Sequence, residues 1–361
     1  MTTKQQLITD NYSIYNSDCM YVLPQIPDKS IDLSVYSPPF AGLYNYSSSE
    51  NDFSNCDSKE QFLQQYEYLI AEMARVTKDG RITAVHCTDV RDSSSENMWD
   101  FPHEIIRLHE KYGFTYRSKI TIWKEPLKVR MRTMVKGLMH KMIVEDSTET
   151  FTAMPDYLLV FKKKGKNQVP VTHPCGFKHY AGEYPLLIDH LTQLGMTQDA
   201  IYPIFDEDSN TKSFQKSIKQ YINDSFEALQ KQYMSFGADE DHKLNKLSHI
   251  IWRRYASAVW DDIRINNVLP FKDSKEDDDE KHVHPLQLDV IDRIVELYSN
   301  PNEVILTPFM GVGSEVYSPV SLGRKAIGIE LKDSYYKQSV LNIAEAEKRF
   351  EKRKQQYQLE L

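Results

Sequence analysis

Ser37-Pro38-Pro39-Phe40 sets a hydroxyl, two ring-locked residues and an aromatic ring in four consecutive positions. Proline has no backbone N–H and a fixed φ, so the pair stiffens the chain and cannot continue a β ladder. Carbonyls beside prolines face no competing N–H at that position and are free to accept hydrogen bonds from a ligand. A hydroxyl, a free carbonyl and a ring on a stiff loop suit a flat base bearing an amino group. An ordinary Pro-Pro turn at a strand end fits these four residues equally well.

The element before this loop, Ile31 to Tyr36, alternates apolar and polar residues as a strand does, which places the loop at a strand tip. A second constellation begins far downstream. Glu303-Val-Ile-Leu306 reads as a strongly apolar strand, followed by Thr307-Pro308-Phe309-Met310-Gly311-Val312-Gly313-Ser314, a helix, Gly323, the strand Ala326 to Ile329, and Glu330. Strand, glycine loop, helix and strand-end acid form the βαβ unit of a nucleoside site. The glycines admit close backbone approach and the acid pairs with ribose hydroxyls. Glu330 lies 17 residues past Gly313, near the usual spacing. The third glycine of the dinucleotide fingerprint is absent, which argues against NAD. S-adenosylmethionine carries an adenosine without a phosphate, so it needs the acid and the close approach but no anion cradle.

Length and composition bound the rest. A chain of 361 residues holds one large α/β domain with an insertion, or two domains. No run of 18 apolar residues occurs and the start, Met1-Thr-Thr-Lys-Gln-Gln, is polar, so a soluble, cytoplasmic protein is expected. The four cysteines form no C-x-x-C pair, which suits a reducing compartment, and His173-Pro174-Cys175 with His179 fits no zinc spacing, so no metal is expected. A net charge of −8 argues against a protein coated in nucleic acid. Local basic clusters do suggest a polyanion partner: Lys124, Lys128, Arg130, Arg132, Lys136 and Lys141 against a single Glu125, and Arg253-Arg254 between Trp252 and Tyr255.

Along the chain, Tyr12 to Asn16 reads as a strand and Cys19 to Leu23 as a short helix. Residues 41–58, with Tyr44, Asn45 and Tyr46, have the composition of a mobile loop. Ser58 to Val76 has helical periodicity, with Ser58 and Gln61 as a capping box, and Lys78-Asp79-Gly80 as its close before a strand over 81–86. A helix over 102–111, strands over 115–123 and 157–161, and a helix over 286–298 follow. Between about 165 and 250 polar residues dominate, with helical segments such as 212–234 and no strong strands. The acidic run 272–282 reads as disordered.

With these motifs in order, the chain resembles the amino-methylating DNA methyltransferases of the permuted β class, most of all their phage and prophage members. Ser37-Pro38-Pro39-Phe40 matches the catalytic motif, Arg75-Val-Thr-Lys-Asp-Gly80 the family's helix end, and Ile122-Trp-Lys124 its strand ending in W-K. His284-Pro-Leu-Gln287 is similar to the segment that flanks the cofactor methionine, 307–314 to the D-P-F-x-G-x-G-T loop, and Glu330 to the ribose-binding acid. The resemblance covers most of 12–165 and 250–345. Thr307 departs from the usual acid, and Arg81 from the family's second glycine.

The resemblance implies a permuted Rossmann-like α/β fold with a mostly parallel seven-stranded sheet. Residues 1–165 would be the catalytic half, 166–250 a target-recognition insertion, and 251–361 the cofactor-binding half. It implies methyl transfer from S-adenosylmethionine to an exocyclic amino group of a flipped base in DNA. Serine at position 37 leans toward cytosine N4, with adenine N6 as the alternative. Ser37 and the Pro38 carbonyl would accept from the amine, Phe40 would stack on the base, and Tyr36 or Tyr44 could assist. Asp18, His284, Gln287, Thr307, Pro308, Phe309, Gly311, Gly313, Ser314 and Glu330 would line the cofactor site. Lys124, Lys128, Arg130, Arg132, Lys136, Arg253 and Arg254 would contact DNA phosphates. A homodimer and a cognate nuclease on another chain are compatible with this reading. Cytosine C5 methylation would need a thiolate; Pro174-Cys175 resembles its nucleophile but precedes the glycine loop, the wrong order. Methyl transfer to RNA or protein, and a catalytically silent DNA-binding module, are the readings from other classes.

Overall fold

The computed structural model describes residues 3–39, 53–56, 58–91, 97–133, 136–174, 176–177, 180–182, 246–274 and 285–359. It divides into two units, Met1–Val171 with Ala258–Leu361, and Thr172–Ser257.

In the first unit the chain runs β1 (Gln5–Ile8), β2 (Tyr12–Asn16), α1 (Cys19–Val22), β3 (Ile31–Tyr36), α2 (Lys59–Val76) and β4 (Thr77–Cys87). A small ribbon, β5 (Val90–Arg91) with β6 (Met98–Trp99), precedes α3 (Phe101–Lys111) and β7 (Phe114–Ile122). Helices α4 (Pro126–Thr133) and α5 (His140–Glu145) lead to β8 (Asp156–Lys163). After the second unit, whose described helix is α6 (Lys246–Tyr255), come β9 (Val259–Trp260), α7 (Leu288–Tyr298), β10 (Val304–Thr307), α8 (Ser314–Ser321), β11 (Lys325–Glu330) and α9 (Asp333–Leu359).

All of these strands but β5 and β6 form one sheet, in the order β1-β2-β11-β10-β3-β4-β8-β7-β9. From β2 to β4 the neighbours are parallel, while β8 is antiparallel to both β4 and β7. The sheet is mostly parallel, as expected, but among the described residues it has nine strands rather than seven. The additional two are the edges β1 and β9. The first is a largely exposed hairpin arm and the second is two residues long, so neither shows the alternation by which a strand is read.

All six residues of β3 are buried, as suits a central strand covered on both faces. One apolar layer joins Ile31 and Tyr36 to Phe62, Tyr66, Leu69 and Met73 of α2 and to Phe101 and Ile105 of α3. The other joins Leu33, Val35 and Ile305 to Val290, Ile291 and Ile294 of α7. Each fully buried aliphatic side chain contributes about 1.5–3 kcal/mol.

Helix α2 starts where Ser58 Oγ accepts from Gln61 N at 3.1 Å, and ends where Thr77 Oγ1 donates to Met73 O at 2.6 Å. Lys78-Asp79-Gly80 does not form a separate close. The chain enters β4 directly, pairing Thr77 with Ile31, then shifts register before Ile82 meets Leu33. Arg81, the departure from the glycine of similar sequences, fastens this end of the sheet. Its Nε donates to Asp32 O at 3.0 Å and its Nη2 pairs with Glu303, while Asp32 Oδ2 accepts from Val304 N at 3.0 Å.

In the second unit Phe177 N donates to Ser248 Oγ of α6 at 2.8 Å and Ala181 N to Tyr255 Oη at 3.1 Å. Among the described residues no helix is long and apolar enough to cross a membrane, and no group of three or more His, Cys, Asp or Glu is placed to hold a metal.

Candidate active site

Strand β3 passes its chain to β4 on one side, and β10 passes its chain to β11 on the other, so the β3–β10 seam is the topological switch point of the sheet. Open α/β sheets bind ligands at the carboxyl ends of strands at such a point. The pairing Ile305↔Leu33 and Leu306↔Ser34 makes Ser37-Pro38 and Thr307-Pro308 leave the sheet side by side. Phe309 continues the contact, its ring 6.0 Å from that of Tyr36 and 5.7 Å from that of Phe53.

At the β3 tip, Ser37 Oγ lies 3.2 Å from both Nδ1 and the carbonyl oxygen of His86, while Pro38 is buried. His86 and Asp156 lie on one face of the sheet, because His86 pairs with Leu158 and side chains alternate with a period of two. His86 Nε2 is 3.1 Å from Asp156 Oδ2, a hydrogen-bond distance though off the ideal line. Asp156 Oδ1 accepts from Lys124 Nζ at 2.5 Å. Burial alone would raise the Asp156 carboxyl, but the Lys124 ammonium and His86 outweigh it and hold the group down at about 2. Tyr36, considered above as an assistant, instead shares a buried 3.1 Å hydrogen bond with Tyr66, and burial pushes its phenol up. Its role is in the core.

At the β10 tip the backbone turns through Gly311 (φ 55°) and Gly313 (φ 98°), left-handed conformations that favour glycine. A Cβ on Gly311 would meet nothing within 4 Å, so the loop presents open backbone. Glu330 holds it: Oε2 accepts from Gly311 N and Oε1 from Lys332 N, both at 2.8 Å. The pairing Asn16↔Glu330 brings Asp18 to the same end of the sheet, where it caps α1 by accepting from Met20 N at 2.8 Å. Burial raises the Asp18 carboxyl despite that bond.

Gln287 precedes α7. Asp289, in the first turn of that helix, accepts from Arg264 N at 2.9 Å, Arg264 Nε at 3.0 Å and Asn267 Nδ2 at 2.7 Å. Leu288 belongs to the same apolar cluster as Val312 of the glycine loop, which sets Gln287 near that loop. Thr307 Oγ1, Ser314 Oγ and Gln287 Oε1 are buried atoms without a hydrogen-bond partner. Buried polar atoms are ordinarily satisfied; three orphans on the expected cofactor residues are what a bound polar ligand would complete. Glu315, next to Ser314, is buried as well. Desolvation, with Glu330 adding to it, pushes its carboxyl up to about 8.

The structure thus brings together Ser37, Pro38 and Pro39 with Thr307, Pro308, Phe309, Gly311, Gly313, Ser314 and Glu330, and sets Asp18 and Gln287 around them. Phe40, His284, Tyr44, Asn45, Tyr46, Cys175, His179, the 212–234 segment and most of the acidic run lie outside the described residues, as do the side chains of Arg132 and Lys136. Lys124, read as a phosphate contact, is engaged by Asp156, its side chain 25% exposed. Lys128 is exposed and Arg130 half-buried on α4; Arg253 is exposed and Arg254 half-buried in the last turn of α6, in the other unit. Sequence reasoning missed His86 and Asp156. A histidine ending an apolar strand and an aspartate opening another were the available signals, but only sheet pairing joins them.

A parallel-sheet switch point flanked by a glycine loop and a strand-end acid defines a nucleoside-binding α/β protein. The match to known families is more specific. Residues 31–341 match the N6_N4_Mtase model, described as DNA methylase, and the chain belongs to that family. It is 24% identical over 328 residues to the type II methyltransferase M.BglII of Bacillus subtilis, covering 89% of this chain and 66% of that protein. In fold it is similar to TTHA0409 of Thermus thermophilus, solved with S-adenosyl-L-methionine (TM-score 0.53, 16% identity, 93% of this chain and 95% of that one). It is also similar to PvuII DNA methyltransferase, described as cytosine-N4-specific (TM-score 0.50, 13% identity, 97% and 96%).

Proposed function

We propose that this protein transfers a methyl group from S-adenosylmethionine to the exocyclic amino group of a base in DNA, with cytosine N4 as the acceptor. The observation that carries this is the adjacency of the two tips: a proline-stiffened hydroxyl beside a glycine loop whose nearby polar atoms lack partners.

The residues fit the cofactor. Glu330 would take the ribose hydroxyls, Asp18 the adenine, and Gln287, Thr307 and Ser314 the polar atoms of the methionine end, with Gly311 giving open backbone. Bound there, S-adenosylmethionine supplies a methyl group already activated by its sulfonium. The protein's task is to prepare the acceptor. An exocyclic amine conjugates its lone pair with the ring. Hydrogen bonds accepted from its N–H groups by Ser37 Oγ and the Pro38 carbonyl favour a pyramidal nitrogen with that pair available. The base must leave the duplex to be reached, and Phe40 supplies a ring to stack on it. Alignment within a stiff site supplies much of the acceleration.

Serine at position 37 supports cytosine N4. Lys128, Arg130, Arg132 and Lys136, with Arg253 and Arg254, are proposed as phosphate contacts, and the segment 166–250 as the target-recognition region. Incubating the protein with labelled S-adenosylmethionine and DNA, RNA or protein, then digesting the product, tests the reading. Label in N4-methylcytosine of DNA is expected. Label in N6-methyladenine overturns the choice of base, and label only in RNA or protein overturns the choice of substrate.

A further inference from the structure

We propose that His86, oriented by Asp156, is a positioning residue that makes the Ser37 hydroxyl the acceptor of the proton the target amine must lose. This rests on the amino-methylation reading above.

A serine hydroxyl alone is a poor proton acceptor. It carries one proton, and two acceptors lie 3.2 Å from Oγ: Nδ1 and the carbonyl oxygen of His86. The partner of one imidazole nitrogen decides which nitrogen holds the ring proton. Asp156 is buried and ionised: its Oδ1 accepts from Lys124 Nζ, and its Oδ2 lies 3.1 Å from His86 Nε2, off the line of a well-formed hydrogen bond. A carboxylate only accepts, so its charge beside Nε2 favours the ring proton on that nitrogen and a lone pair on Nδ1 facing Ser37. The Ser37 hydroxyl, 3.2 Å from both His86 O and Nδ1, can then turn its single proton from the carbonyl to Nδ1 and leave its oxygen lone pairs to the site.

The amine lone pair forms the N–C bond while the C–S bond breaks, its electrons staying on sulfur as a neutral thioether. As positive charge builds on nitrogen, its proton passes to Ser37 Oγ and the Ser37 proton passes to His86 Nδ1. The resulting imidazolium is stabilised by Asp156, and its proton is later lost to water. Lys124 keeps the carboxylate ionised and fixed.

Two measurements test this. In ¹⁵N-labelled protein without ligand, the His86 ring is expected in the Nε2–H form, with Nδ1 unprotonated, and Asp156→Asn is expected to abolish that preference. In single-turnover assays on pre-bound DNA and cofactor, His86→Gln is expected to lower the transfer rate by about 10²-fold, the lower end of general-base effects. Its dissociation constants for S-adenosylhomocysteine and DNA should match the wild type's. A ring protonated on Nδ1, or an undiminished rate in His86→Gln, overturns the relay while leaving the methyl-transfer reading standing. Wild-type protein that transfers no methyl group to DNA defeats that reading itself. If His86→Gln does not fold, the wild-type tautomer decides.

Discussion

Two loops leave adjacent parallel strands in this protein, and their polar groups are treated in opposite ways. After β3, the Ser37 hydroxyl is tied to His86, which reaches a buried carboxylate and through it an ammonium. After β10, Thr307 and Ser314 bury oxygens with no partner, and Gly311 faces open space. At the first tip the Ser37 hydroxyl and the Asp156 carboxylate each have a hydrogen-bond partner within the protein, whereas at the second the Thr307 and Ser314 oxygens have none. An acceptor site gains from preorganisation because its geometry must be right at the moment of reaction, whereas a cofactor site can be completed by the cofactor.

The largest effect is expected below both tips, where Arg81 holds the seam together. Arg81→Met leaves Asp32 and Glu303 without their buried partner, and removing one member of such a cluster costs about 3–5 kcal/mol. Thermal or urea unfolding should show it, and an unchanged midpoint would mean the seam needs no fastening. Ser37→Ala is next: transfer should fall at least about 10²-fold while calorimetry gives an unchanged affinity for S-adenosylhomocysteine. Glu330→Ala should do the reverse, weakening that affinity by about 1.5–3 kcal/mol, the range of hydrogen bonds to a charged group. Equal affinities in wild type and variant would remove Glu330 from the donor site.

Smaller effects sharpen the contrast. The Glu315 carboxyl is raised from 4.5 to about 8 in the folded protein. Between those values the folded state keeps a proton that the unfolded chain releases, so stability declines as pH rises from about 4.5 toward about 8. Glu315→Gln should lack that decline, and parallel melting curves at pH 5 and 8 would contradict the raised value. Asp156 has the opposite sign. Its depressed carboxyl contributes stability above the unfolded value of 3.8 that is lost as pH falls toward about 2. Replacing Lys128 or Arg130 by Gln should reduce the salt dependence of DNA binding by about one unit of slope each. An unaltered slope would take α4 off the phosphate backbone.

Much of this was legible in the sequence because it rests on local rules. The proline pair, the glycines at 311 and 313 and the strand-end Glu330 declare themselves by residue type and spacing, as does the periodicity of α2. The edge strands escaped because an exposed four-residue arm and a two-residue strand have too little burial to impose a pattern. Only packing shows the Tyr36 hydroxyl meeting Tyr66 in the core. His86, Asp156 and Lys124 come from three separate strands or strand ends, and β4–β8 and β7–β8 pairing alone brings them within reach. Lys124 shows the cost of reading charge along the chain: a residue in a basic cluster proved to be the counter-ion of a buried acid.

A crystal structure with S-adenosylhomocysteine tests the shared cleft most directly. The ligand's ribose is expected on Glu330, with partners for Thr307, Ser314 and Gln287 and the sulfur facing Ser37. A ligand bound elsewhere, with those three side chains still unpartnered, would contradict it.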